Sequence, residues 1–275
     1  MLSIAILAKD EEQHISDCLR SVAHLAAEII VLLDNRSSDQ TENICNQHKA
    51  VVYVEPWRGY AGQRNRAIQL CRGDWVLFLD ADERVTSQLA QELRSFTSNN
   101  EFDGYWIPRK NIFFGQILRG GGWYPDYQLR LLRREQTSYD ENQHVHEVAQ
   151  LRGKAGRLTG HILHYNIDRL AEFWQKQTKY ALEEARILWK QRKQTRWRNF
   201  VGAPAREFWR RYKTLAGWRD GFLGLFLCGA LAWFEIVKYA CLYLLQTPSK
   251  PKRNLILLAH LRSSLKDSKK VSKLS

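Results

Sequence analysis

Leu2–Ala8 (LSIAILA) is an unbroken apolar run rich in β-formers, the pattern of a strand buried on both faces. A polar step, Lys9-Asp10-Glu11-Glu12, separates it from Ile15, Leu19 and Val22 at helical spacing. The alternation continues. Glu28–Leu33 (EIIVLL) predicts a second buried strand, ending in the polar loop Asp34–Asp39, where Ser38 or Asp39 is placed to cap a helix running to about His48. Val51–Val54 predicts a short third strand, Gly62–Cys71 a helix, Arg72-Gly73-Asp74 a turn and Trp75–Leu79 (WVLFL) a fourth buried strand that ends at Asp80. Buried strands alternating with helices predict an α/β domain with a mostly parallel central sheet and helices on both faces. Ligands of such sheets bind outside the carboxyl ends of the strands, where Asp34, Asp80 and Asp82 all fall.

The pattern changes after residue 103. Gly104–Pro108, Gln128–Leu132 and Leu158–His164 read as strands, and Gly120-Gly121-Gly122 as a flexible loop. From Leu170 to about Lys193 the apolar spacing is helical. Gly221–Gln246 is long and apolar enough for a spanning helix, but it contains Glu235 and Lys238, one turn apart and placed to pair. A charged pair is costly in hydrocarbon, so a helix lying in the membrane interface, or packed on the α/β domain, fits better.

Charge sharpens this division. Residues 1–150 hold 16 Lys+Arg against 21 Asp+Glu, and residues 151–275 hold 26 against 8, within a net of +13. The basic half interleaves Arg196, Arg198, Arg206, Arg210, Arg211, Lys213 and Arg219 with Trp197, Phe200, Phe208, Trp209, Tyr212 and Trp218. Such a pattern suits an anionic membrane surface. No RRM, KH or OB signature accompanies it, so nucleic acid is not an expected partner. Met1 leads straight into the first strand with no signal-peptide pattern, so a cytoplasmic location is expected, peripheral on the membrane's cytoplasmic face. Five scattered cysteines with no CxxC predict buried reduced thiols.

The chemistry concentrates at Asp80-Ala81-Asp82. Two carboxylates at i and i+2 on a strand end can reach one hard divalent cation, and Mg²⁺ or Mn²⁺ prefers carboxylates together with phosphate oxygens. That cation would neutralise a departing nucleoside diphosphate. His144-x-His146 and His161-x-x-His164 lack the tighter spacing of zinc sites and read as ordinary strand and loop histidines. Arg130, Arg133 and Arg134 suit either a diphosphate or anionic acceptor, or a surface strand.

Leu2–Glu12, Ile29–Thr41, Gly62–Ile68 and Gly73–Glu83, in that order, resemble the nucleotide-sugar-binding half of the family 2 glycosyltransferases, inverting enzymes of the GT-A fold. Tyr124-Pro125-Asp126 with Arg130-Leu131-Leu132, Val145-His146-Glu147 and His164-Tyr165 resemble a bacterial subgroup that includes lipopolysaccharide-core β-1,4-glucosyltransferases. The family's usual Asn-Glu after the first strand is Asp10-Glu11 here, and Asp accepts hydrogen bonds but offers no amide donor. The resemblance implies a GT-A domain over residues 1–165 and a basic, helical, membrane-facing extension over 166–275. It implies that Asp34 accepts from the donor's base, that Ala8, Glu11, Arg64, Asn65, Asp80, Ala81 and Arg130 line the nucleotide-sugar site, and that Asp82, with Asp80, holds Mg²⁺ or Mn²⁺. It implies a catalytic base at Glu147, with Asp126 and Asp140 as rivals. Glu83 reads as a helix-start acid. The implied reaction moves a hexose, glucose foremost, from a UDP-type donor to a lipid-linked or lipopolysaccharide-type acceptor. A nucleotidyltransferase is the alternative enzyme, but it needs a Gly-rich, Arg-containing loop where the acidic Lys9–Glu12 stands. A non-catalytic membrane-surface binder with the same fold is the other.

Overall fold

The computed structural model describes residues 1–95, 101–141 and 148–247. The elements follow in the order β1 (Leu2–Ala8), α1 (Ile15–Val22), β2 (Glu28–Asp34), α2 (Thr41–Gln47), β3 (Val51–Glu55), α3 (Gly59–Leu70), β4 (Trp75–Asp80), β5 (Glu83–Val85) and α4 (Ser87–Arg94). Then come β6 (Gly104–Phe113), β7 (Gln116–Ile117), β8 (Asp126–Arg133), β9 (Thr137–Ser138), β10 (Gln150–Leu151), β11 (Ala155–Arg157) and β12 (Ile162–Ile167). The helices α5 (Leu170–Lys190), α6 (Asn199–Trp209) and α7 (Gly221–Gln246) close the described chain.

The main sheet runs β3-β2-β1-β4-β8-β6-β12-β5, with β7 and β11 also on β6. The first four strands are parallel, and β1, β2 and β4 have the buried, unalternating sequences common in such sheets. Both faces are covered, and the period-2 geometry of a strand sorts the side chains between them. Ile4 and Ile6 of β1 and Leu77 and Leu79 of β4 pack with Ile15, Leu19 and Val22 of α1. Ala5 of β1 and Val76 and Phe78 of β4 face the other way, with Ala61 and Ala67 of α3. The second half of the sheet is mixed. β8 inserts antiparallel between β4 and β6, and β12 lies parallel to β6 but antiparallel to β5. The last strand starts at Ile162, whereas the sequence reading started it at Leu158.

The loop at Gly120-Gly121-Gly122 departs from the flexible segment expected. Asp220 accepts the N–H groups of Arg119 and Gly120 at 2.7 and 3.0 Å, and the Gly121 N–H donates to Leu215 O at 2.7 Å. A Cβ on Gly120 would lie 2.1 Å from Ala216 O. Glycine is needed there for close approach rather than for motion.

The chain forms two compact units: Met1–Trp174 with Trp209–Cys228, and Gln175–Phe208 with Gly229–Ser275. In the second, Ala185, Cys241 and Leu242 form a small core with Leu182, Leu188, Val237 and Tyr239 around it. Lys238 Nζ pairs with Glu235, as the spacing predicted, and with Glu184 at 3.1 Å. All five cysteines are buried and form no disulfide.

Candidate active site

The site is assembled where β4 ends and β5 begins. Asp80 closes β4, a tight turn carries Ala81 and Asp82, and Glu83 opens β5. Register then brings distant residues alongside. β12 pairs with β5 so that His164 stands opposite Glu83, and with β6 so that it stands opposite Asn111. The Tyr165 N–H donates to Asp82 O at 3.0 Å, which fixes the turn against β12. As a result His164 Nε2 lies 3.2 Å from Asp82 Oδ2.

Behind this pair is a buried ionic lattice. The Glu83 carboxylate has no exposed surface. It accepts the Asp80 N–H at 2.9 Å, Arg130 Nη2 at 2.9 Å and Arg109 Nη1 at 3.0 Å. Arg130 also donates to Asp80, and Arg109 Nε donates to Asp126 at 2.8 Å. Alternating signs make burial of these charges tolerable. Burial opposes ionisation of Asp80, but the charge and hydrogen bonds of Arg130, with Arg64 and Arg109 nearby, hold its carboxyl far below the usual carboxylate range. Glu83 is thus the hub of the lattice, not the helix-start acid its position suggested: it sits on a strand that β12 covers.

The opening in front of this lattice is a cleft of about 880 Å³. Ala8, Glu11, Asp34, Arg64, Asp80, Ala81 and Asp82, all singled out in the sequence, line it. Lys9, Arg36, Trp57, Tyr60 and His164 line it as well. Asp34 is buried at the end of β2 and accepts from Arg36 Nε at 3.0 Å and Nη2 at 2.6 Å. That pairing holds its pKa below the ordinary value against the effect of burial. Glu11 is the opposite case: burial, with Asp82, Asp80 and Asp39 close by, pushes its carboxyl up to about 7. Arg64 stacks over the Tyr139 ring and reaches within 4.0 Å of Asp80 Oδ1.

Other expected residues lie elsewhere. Arg130 is buried behind Asp80 and faces it and Glu83. Asn65 braces the segment after β9: it donates to Tyr139 O and Glu141 Oε1, both at 2.9 Å, and accepts the Tyr139 N–H at 2.8 Å. Asp126 accepts from Arg109, Asn111 and Gln128, which outweigh burial and hold its pKa below the ordinary value. Asp140 follows Tyr139 in the braced segment. Glu147, with His144 and His146, lies outside the described residues. Arg133 packs over Trp75 and pairs with Asp103 at 3.3 Å. His161 Nε2 lies 3.1 Å from Tyr124 OH.

Asp10 resolves the departure from Asn at that position. It has φ of 53°, a conformation Asp and Asn tolerate better than most residues. Its Oδ1 accepts the Ser38 N–H at 2.8 Å, and its own N–H donates to Ser37 Oγ at 3.0 Å. An acceptor is all its side chain supplies there, so a carboxylate serves.

Glu83, Arg109, Asn111 and His164 were not identified as site residues from the sequence. His164 appeared in the sequence in His161-x-x-His164, set aside there as an ordinary histidine, and in the His164-Tyr165 dipeptide; its partner Asp82 is 82 residues away in the chain. Strand pairing alone joins them.

Comparison with known proteins identifies the family. Residues 3–152 match the model of glycosyl transferase family 2. The chain is similar to the lipopolysaccharide core biosynthesis glycosyltransferase LpsC of Rhizobium meliloti, 31% identical over 235 residues, which covers 81% of this chain and 84% of that protein. It is 28% identical over 275 residues to an uncharacterized glycosyltransferase of Rickettsia typhi, covering 93% and 90% of the two. Among solved structures it is similar to S. aureus TarS 1-349 in complex with UDP, with a TM-score of 0.43 and 17% identity over 66% of this chain and 65% of that one. With its acids at the expected strand ends and the family pattern over more than half its length, the chain belongs to glycosyl transferase family 2.

Proposed function

We propose that this glycosyltransferase moves a hexose, with inversion, from a UDP-type nucleotide sugar to a lipid-linked or lipopolysaccharide-type acceptor. The observation that carries the donor half is the cleft itself, with Asp34 at one strand end and Asp80, Asp82 and His164 across from it. A carboxylate at Asp34 suits the N–H of a uracil ring. The name of the Rhizobium meliloti relative supports the acceptor class.

A divalent cation fits the donor set. Asp82 Oδ2 and His164 Nε2 lie 3.2 Å apart and both line the cleft, close enough for one cation to be shared between them. A carboxylate and an imidazole suit Mn²⁺ well and Mg²⁺ less so. Asp82 and His164 are the residues that would hold the ion, with Asp80 beside them. When bound, such an ion neutralises charge on the leaving diphosphate.

The chain's own residues do the rest. Arg130 and Glu83 hold Asp80 ionised and fixed, and Arg64 and Lys9 add positive charge along the cleft. The acceptor hydroxyl loses its proton to a base as its oxygen attacks the anomeric carbon and the bond to the diphosphate oxygen breaks. Asp126 is a poor base, since three donors already occupy its carboxylate. Glu147 is the base the family resemblance favours. Family membership sets aside the nucleotidyltransferase alternative.

The membrane reading has support of a different kind. Among the described residues, Gly217–Gln246 is a helix long and apolar enough to cross a membrane by length and composition. Trp209, Trp218 and Phe222 are exposed in the first unit, and Trp197 and Trp233 in the second, among the basic residues of this half. A protein peripheral on an anionic leaflet, with a transferase domain over 1–165 and a membrane-facing extension over 166–275, accounts for that pattern. Calorimetric titration with UDP-, GDP- and dTDP-sugars, with and without Mn²⁺, tests the function. UDP-sugar binding is expected, and binding of no nucleotide sugar overturns the proposal.

A further inference from the structure

Asn111 lies on β6 opposite His164 and is buried. One atom of its amide is 2.8 Å from Trp123 O and 3.1 Å from Asp126 Oδ2. The first is a carbonyl; the second is a carboxylate paired with Arg109 at 2.8 Å. Both can only accept, so the amide atom facing them is the nitrogen. The atom facing His164 Nδ1, at 2.7 Å, is therefore the oxygen. An oxygen acceptor at that distance requires the ring proton on Nδ1. Asn166 Nδ2, a possible donor to the same ring nitrogen, is farther away at 3.4 Å.

Both anchors of Asn111 are themselves held by further contacts. Arg109 ties Asp126 to Glu83. The Trp123 N–H donates to Gly120 O at 3.0 Å, in the glycine loop that Asp220 and Leu215 hold. The Asn111 amide therefore keeps its orientation, and the histidine ring inherits it.

We propose that Asn111 is a positioning residue that fixes His164 with its proton on Nδ1 and turns Nε2 toward Asp82 as a ligand atom. The two ring nitrogens are not equivalent: whichever carries the proton cannot bind a cation. Without an acceptor at Nδ1 the ring can place its proton on Nε2, facing the Asp82 carboxylate, and that arrangement weakens binding of an ion. The use of the device rests on the reading of Asp82 and His164 as a cation pair; the protonation pattern does not.

Long-range ¹⁵N–¹H spectra of the histidine rings in the full-length, metal-free protein, at a pH where the rings are neutral, test it directly. His164 is expected to show a protonated, pyrrole-type Nδ1 and a pyridine-type Nε2. In Asn111→Ala, Mn²⁺ affinity measured by calorimetry is expected to fall about 10- to 100-fold with the circular dichroism spectrum unchanged. A pyridine-type Nδ1 in the parent protein overturns the inference whatever the metal does, and needs no variant to fold. A folded Asn111→Ala protein that binds Mn²⁺ like the parent overturns it as well. A parent that binds no Mn²⁺ overturns the cation reading, and the spectrum still decides the proton's place.

Discussion

Glu83 Oε1 accepts Arg130 Nη2 at 2.9 Å, and the same guanidinium holds Asp80 at the mouth of the cleft. One buried acid thus sets the place of an acid that lines the cleft. Because Glu83 also receives Arg109, removing its charge leaves two guanidinium groups short of a counter-charge.

Glu83→Gln is therefore expected to cost about 3–5 kcal/mol of stability, the range for breaking a buried ion pair. Differential scanning calorimetry should show a melting temperature lower by roughly 10 °C for a protein of this size. A variant that melts within a degree or two of the parent would remove Glu83 from its place as hub.

The pairing of Asp82 with His164 predicts that each is needed for Mn²⁺. Asp82→Asn and His164→Ala should each weaken Mn²⁺ binding at least about 10-fold, as loss of one ligand from a site with few protein ligands implies. Transfer from a UDP-sugar should fall with it. Unchanged Mn²⁺ affinity in His164→Ala would limit the site to the aspartates.

Asp34 predicts a split between nucleotides. A hydrogen bond to a charged group contributes about 1.5–3 kcal/mol, so Asp34→Ala should weaken UDP binding about 10- to 100-fold. Inorganic diphosphate, which lacks the base, should bind the variant and the parent alike. An equal loss for both ligands would place Asp34 elsewhere in the interaction.

Glu11 gives a pH signature in the metal-free protein. Its folded pKa of about 7 lies above the ordinary glutamate value, so the folded state takes up a proton that the unfolded chain releases. The stability this contributes is complete below the unfolded value near 4.5 and is lost as pH rises through about 7. Glu11→Gln removes that dependence. The melting temperature of the variant relative to the parent should therefore rise between pH 4.5 and 7.5 and then level off. Parallel curves for the two proteins would show that Glu11 titrates at an ordinary value.

The membrane proposal is best tested by point substitution. Deleting residues 196–275 would also remove Asp220, which holds the loop carrying Trp123. Combined Trp209→Ala, Trp218→Ala and Phe222→Ala changes at exposed positions should lower flotation with anionic vesicles several-fold and leave UDP-sugar binding unchanged. Undiminished flotation would assign these residues another role.

The first half of the chain was largely legible because its signals are local. Leu2–Ala8, Glu28–Asp34 and Trp75–Asp80 are buried on both faces, and that condition leaves an unbroken apolar run in the sequence. Asp34, Asp80 and Asp82 stand at the ends of such runs, so their approach to one cleft could be anticipated. The second half was less legible. β8 and β12 enter the same sheet antiparallel to a neighbour, and no short-range pattern distinguishes the direction in which a strand pairs.

The sequence by itself determined which strands are buried, which acids lie at their carboxyl ends, and that a basic aromatic half follows an acidic one. Only the tertiary structure decided what the Asp80-Ala81-Asp82 turn is set against. His164 reaches Asp82, and Asn111 reaches His164, through the register of β5, β12 and β6. Glu83 and Arg130 meet because β8 lies beside β4. Hydrogen bonds and ion pairs act over a few ångströms of space, whereas these partners are 47 to 82 residues apart in the chain, so only the pairing of strands brings them together.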